Sequence, residues 1–85
     1  MKSDKKKIIR YINVAKGQLD GVSRMIETDE YCVDISNQIL AAIAILKKAN
    51  DQIITDHISH CVKNATDEQL EKKMEEIAYL LKRMH

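Results

Sequence analysis

An all-α fold is predicted by three observations. Apolar residues recur every three or four positions along nearly the whole chain, proline is absent, and glycine occurs only at Gly17 and Gly21. Apolar residues make up 45% of the 85 positions, yet Phe and Trp are missing, and Ile, Leu, Ala, Val and Met supply the bulk. That is the composition of packed helices. A chain this short buries little surface by itself, so association of copies is expected. We read residues 1–85 as a single domain: a three-helix protomer with one long central helix, paired in an antiparallel dimer.

The first helix is expected from about Asp4 to Ile26, with Ile8, Ile12, Ala15, Leu19, Val22 and Ile26 on its apolar face. Thr28 and Asp29 are expected to stop it and to cap the next helix, because their short side-chain oxygens accept the free amides of a first turn. The second pattern runs from Glu30 to about Lys63 through Cys32, Ile35, Ile39, Ala42, Leu46, Ala49, Ile53, His57 and Cys61, with no Gly or Pro to break it. At about three times the length of an ordinary globular helix, such a rod needs partner helices along most of its span. Asn64, Ala65 and Thr66 form the next connection, with Asn64 as C-cap. Thr66 and Gln69 have the spacing of a capping box. The last helix, about Asp67 to Arg83, places Leu70, Met74, Ile77, Leu81 and Met84 on one face and alternating charges elsewhere.

The net charge of +1 conceals a basic amino-terminal helix: Lys2, Lys5, Lys6, Lys7, Arg10, Lys16 and Arg24 against Asp4 and Asp20. Acidic residues follow at Glu27, Asp29, Glu30 and Asp34, so the positive charge is localised. No apolar run is long enough to span a bilayer and no signal-peptide core is evident, which gives the expectation of a cytoplasmic protein without a membrane partner. Two cysteines far apart on one straight helix cannot pair within a chain, so thiol chemistry here points to metal or redox function.

Cys32, His57 and Cys61 carry the most chemistry. At about 100° per residue, His57 and Cys61 fall within about 20° of Cys32 around the helix, yet the rise of about 1.5 Å per residue puts Cys32 roughly 38 Å from His57. His57 and Cys61, one turn apart, can hold one ion. The missing thiolate then has to come from a second chain running antiparallel, about a two-fold axis near Ile45 and Leu46. Two thiolates and one imidazole suit Cu(I), whereas structural zinc demands a fourth ligand, and His60 points about 80° away. On spacing alone, the reading of each residue as a buried structural side chain stands beside the metal reading.

The run GQLDGVSRMIETDEYCVDI, followed by HISHC, closely resembles the CsoR/RcnR family of bacterial metal- and stress-sensing transcriptional repressors, over nearly the whole chain. The Cys, His, Cys triad resembles that of its copper-sensing branch. This resemblance implies Cu(I), one per protomer, held between two chains by Cys32, His57 and Cys61. It implies a homodimer assembling into a homotetramer that binds operator DNA without metal and releases it with copper, derepressing copper-resistance genes. Tyr31 and Glu76 are assigned by the same resemblance to a hydrogen-bond network around the ligand His. Lys5, Lys6, Lys7, Arg10, Lys16 and Lys48 are the expected DNA contacts, neutralising phosphates.

The chain also departs from its relatives. Residues Met1 to Lys5 contain none of the additional His of nickel- and cobalt-responsive members, and the free amino-terminal Pro of formaldehyde-responsive members is absent. A first-helix Arg used by copper-sensing members falls at Tyr11, while Lys48 retains the expected charge on the second helix. No nucleophile, carboxylate pair or phosphate loop suggests turnover or a small organic substrate, so an enzyme is not expected. Two alternatives remain: a persulfide- or thiol-responsive repressor of the same family, and a cytosolic copper buffer that does not bind DNA.

Overall fold

Three helices follow one another as the periodicity predicts: α1 (Lys5–Glu27), α2 (Cys32–Asn64) and α3 (Asp67–Arg83). The computed structural model describes the backbone of residues 5–64 and 66–84, and their side chains apart from those of residues 60–64 and 67. Asp4, Ala65 and the side chain of Asn64 lie outside the described part.

The turn between α1 and α2 is built from backbone bonds. The Asp29 N–H donates to the Ile26 carbonyl at 3.1 Å and the Glu30 N–H to the Met25 carbonyl at 2.9 Å. Asp29 itself adopts a left-handed φ of 54°. This is the Schellman closure of a helix end. The Thr28 hydroxyl donates backward to the Arg24 carbonyl at 3.0 Å. Both residues therefore end α1 as expected, but neither caps α2. The first bond of α2 runs from the Ile35 N–H to the Tyr31 carbonyl at 3.1 Å, which makes Tyr31 the residue at its N-cap. At the start of α3 the capping box forms: the Gln69 N–H donates to Thr66 Oγ1 at 3.3 Å and the Thr66 N–H to Gln69 Oε1 at 3.1 Å.

α1 packs antiparallel along the first part of α2 through a seam with a seven-residue repeat. Ile8, Ala15 and Val22 are buried on one side, Ala42 and Ala49 on the other. Half-buried Tyr11, Gln18 and Met25 alternate with them on α1, and Ile35, Gln38, Ile45 and Gln52 do so on α2. The two alanines leave room for the helices to approach. A Cβ at Gly21 would lie 3.6 Å from Gln38 Nε2. The expected single apolar face of α1 splits here, because Ile12, Leu19 and Ile26 are exposed. α2 takes only one flank of a broad apolar surface and leaves the other bare.

Among the described residues α3 packs on α2 and not on α1. It returns beside the second half of α2, so that Leu81, Arg83 and Met84 line a groove with Lys47, Asn50 and Asp51. Ile54 and Ile77 are buried on this half. The protomer measures 56 × 26 × 12 Å. Two stacked helix layers would need axes about 8 to 10 Å apart before the helices' own thickness is added, so this is a single layer. Its radius of gyration of 17.1 Å compares with about 12 Å for a compact domain of this length. No described helix is long and apolar enough to cross a membrane.

Candidate metal centre

Cys32 is the first residue of α2 and is an exposed, free thiol. Tyr31 precedes it at the N-cap with its side chain 68% exposed. His57 is half-buried and already engaged with a neighbouring group. Cys61 follows one turn later in the same unbroken helix, with its side chain outside the described residues. Because α2 does not bend back, the 25-residue rise from Cys32 to His57 is about 38 Å. Among the described residues no three His, Cys, Asp or Glu side chains converge on a point. A single protomer therefore keeps Cys32 apart from His57.

By register, Cys32, Ile39, Ile43, Leu46, Asn50 and His57 form one stripe on α2, rotated away from the α1 seam. The apolar members of this stripe are exposed: Ile39 by 39%, Ile43 by 42% and Leu46 by 41%. The exposed Ile9, Ile12, Leu19 and Ile26 of α1 extend the same side of the slab. Midway between Cys32 and the His57–Cys61 turn lie Ile43 and Leu46. Ile45, expected beside the two-fold axis, is instead half-buried toward α1. The signal for Ile43 was present, since it follows Ile39 by four residues and Cys32 by eleven.

The donor chemistry fits a soft ion. An exposed thiol and an imidazole sit at opposite ends of one apolar stripe, and an antiparallel copy would bring each to the other without strain in the helix. Glu76 is on α3, exposed and 3.7 Å from Lys73 Nζ. Tyr31 and Glu76 are not brought together within the protomer. The basic residues are likewise distributed: Lys5 and Lys16 share the Ile12 side of α1 by register, Lys6 and Arg10 the side away from α2. Lys7 is half-buried and engaged, and Lys48 is exposed on α2.

Residues 4–83 match the family model described as metal-sensitive transcriptional repressor. The chain is 42% identical over 53 residues to the copper-sensing transcriptional repressor RicR of Mycobacterium tuberculosis, covering 62% of this chain and 55% of that protein. Against the copper-sensing transcriptional repressor CsoR of Bacillus subtilis it is 41% identical over 62 residues, covering 73% of this chain and 61% of that one. The match thus spans little more than half the length of these curated relatives. The crystal structure of the copper-sensing repressor CsoR with Cu(I) from Geobacillus thermodenitrificans superposes with a TM-score of 0.85 at 32% identity, over 99% of this chain and 88% of that one.

Proposed function

Since the chain belongs to the metal-sensitive transcriptional repressor family, we propose that it is a Cu(I)-responsive repressor, holding operator DNA when metal-free and releasing it when copper is bound. The observation that carries this reading is the unbroken α2, with a free thiol at its start and an imidazole near its end on one exposed apolar stripe. In an antiparallel dimer Cys32 of one protomer meets the partner subunit's His57 and Cys61, one ion per protomer. The ion supplies a soft cross-link between chains there. The named relatives' copper sensing and the Cu(I) in the neighbouring structure support that choice of metal.

The remaining roles belong to residues of the chain. His57 donates its second ring N–H to an oxygen, for which Tyr31 and Glu76 are the candidates, and Glu76 thereby couples the site to α3. Lys5, Lys6, Lys7, Arg10, Lys16 and Lys48 neutralise DNA phosphates in the metal-free state. When the donors close on one another, the helices settle into an arrangement whose basic groups no longer match the phosphates, a coupling of ~1 to 3 kcal/mol. Dimers pair into a tetramer to present enough basic surface. The role is regulatory rather than catalytic, and DNA binding places it in the cytoplasm.

Electrophoretic mobility of a promoter fragment with metal-free and Cu(I)-loaded protein tests this reading. A shift that copper abolishes is expected, and His57→Ala should keep the shift but lose the copper response. A copper buffer would shift nothing in either state. The exposed Cys32 thiol favours one second reading, a thiol-responsive repressor. In that case persulfide treatment yields covalent dimers on non-reducing gels and His57→Ala retains its response.

A further inference from the structure

We propose that the carboxylate of Asp56, next in sequence to His57, competes with a DNA phosphate for the ammonium of Lys5 and draws it off when copper is bound. The pair rests on the repressor reading above and deepens it, joining the metal site to the basic surface through two named residues.

Two side-chain oxygens are buried without a hydrogen-bond partner among the described residues, Gln18 Oε1 and Asp56 Oδ2. The first belongs to a neutral amide. The second belongs to a carboxylate, and holding such a group out of water without a counter-charge is far more costly. Its other oxygen is already engaged: Gln52 Nε2, one turn back on α2, donates to Asp56 Oδ1 at 3.0 Å. Asp56 therefore offers one buried oxygen with no donor to meet it.

Among the described residues, α1 is the element placed to supply that donor. α3 lies along the opposite flank of α2, where Lys47 and Asp51 line the groove with it. Asp56 instead continues the row of Ala42 and Ala49 in the seam, seven residues on. The seam sets Ala15 level with Ala42 and Ile8 with Ala49, in keeping with the Gln38 amide lying over Gly21. Lys5 then comes level with Gln52, and Asp56 stands about 6 Å further along. Helix side chains lean toward the amino terminus, so the four-carbon stem of Lys5 runs in the direction of Asp56.

Lys5 and Asp56 turn to the same face of the slab by register, whereas Lys7 turns to the other and is already engaged. Lys5 is exposed and holds no ion pair among the described residues. Pairing it with Asp56 costs the freedom of its stem and of the end of α2. With His57 and Cys61 closed on an ion, that end is fixed in advance, and the pair is favoured. A phosphate that Lys5 had neutralised is then left without it.

Chemical acetylation of amines, read peptide by peptide in a mass spectrometer, tests the pair on the full chain without DNA. In the wild type, Cu(I) should lower the reactivity of Lys5 by ~3-fold and leave that of Lys6, on the side away from α2, unchanged. In Asp56→Asn, which keeps an oxygen for Gln52, Lys5 should not respond to Cu(I). A duplex selected from a randomised pool by the wild-type protein gives the second measurement, by fluorescence anisotropy across a salt series. Metal-free Lys5→Gln should show a dependence of log affinity on log salt shallower by about one, while with copper it should match the wild type. The ratio of metal-free to copper-loaded affinity should fall ~3-fold in each single variant and no further in the double. Lys5 reactivity that ignores Cu(I), or a ratio that falls additively, overturns the pair. So does an Asp56→Asn protein that loses Cu(I) in chelator competition, since the carboxylate then serves the metal turn directly. Copper-dependent protection of Lys5 in a protein that selects no duplex supports the pair but overturns the repressor reading, and with it the competition for phosphate.

Discussion

Asp29 sits in the left-handed region at φ 54°, where a side chain is tolerated when it is short and polar. Asp29→Val should therefore destabilise the protein by ~1 to 2 kcal/mol, whereas Asp29→Gly should be neutral or slightly stabilising; urea denaturation of both variants checks the pair. Thr66 accepts from the Gln69 amide at the start of α3. Replacing it with alanine should cost ~1 kcal/mol, visible as faster amide exchange confined to α3. The capping box was legible in the sequence because both of its partners are local and their spacing is fixed. The turn after α1 was half legible: Thr28 and Asp29 mark a break, but which helix they serve depends on where the chain turns. Thr28 spends its hydroxyl on the Arg24 carbonyl, leaving the start of α2 to the backbone of Tyr31.

Among the elements, α2 was the most readable, since 33 residues without Gly or Pro and with unbroken periodicity leave no place to bend. Its length alone separates Cys32 from His57, so the distance between these two side chains along one chain was written in the spacing. The apolar faces were less readable. Each of α1 and α2 carries an apolar surface wide enough for two neighbours, and periodicity cannot say which flank meets its own chain. Ile12, Leu19 and Ile26 are exposed for that reason, while Ile8, Ala15 and Val22 are buried. Close approach at Ala42 and Ala49, 1% and 2% exposed, makes the seam intolerant of bulk. Ala42→Leu should cost ~1 to 3 kcal/mol by overpacking, measured as a drop in the urea midpoint with unchanged slope. The basic residues of α1 were legible as a cluster in sequence but not as a surface, because a helix spreads neighbours in sequence around its whole circumference.

For the whole molecule, the exposed stripe through Ile39, Ile43 and Leu46 would, in the proposed dimer, join metal capture to assembly. Ile43→Glu should leave the chain monomeric in analytical ultracentrifugation and weaken Cu(I) affinity by more than ~10-fold, although no donor has been touched, because a charge buried at such an interface has no partner. Retention of full Cu(I) affinity by that monomer would contradict the inter-chain site. The other bare surfaces fit the same arrangement. α3 covers only the later half of its own α2, while Val33 and Leu40 on the earlier half, and Met74, Tyr79 and Leu80 on α3 itself, remain exposed. An antiparallel copy would lay its α3 along that uncovered half.

A slab 12 Å thick closes little off from water beyond a narrow seam of small and branched side chains, Ile8, Ala15, Val22, Ala42, Ala49, Ile54 and Ile77 among the described residues. In the proposed oligomer, much of the apolar surface left exposed on the single chain would leave water only when copies meet, so the population of folded molecules would follow the law of mass action. Dilution should lower the melting temperature continuously rather than leave it fixed. A cell making too few copies would then have neither assembled nor folded protein, and the abundance of the polypeptide would itself set the threshold at which it can act.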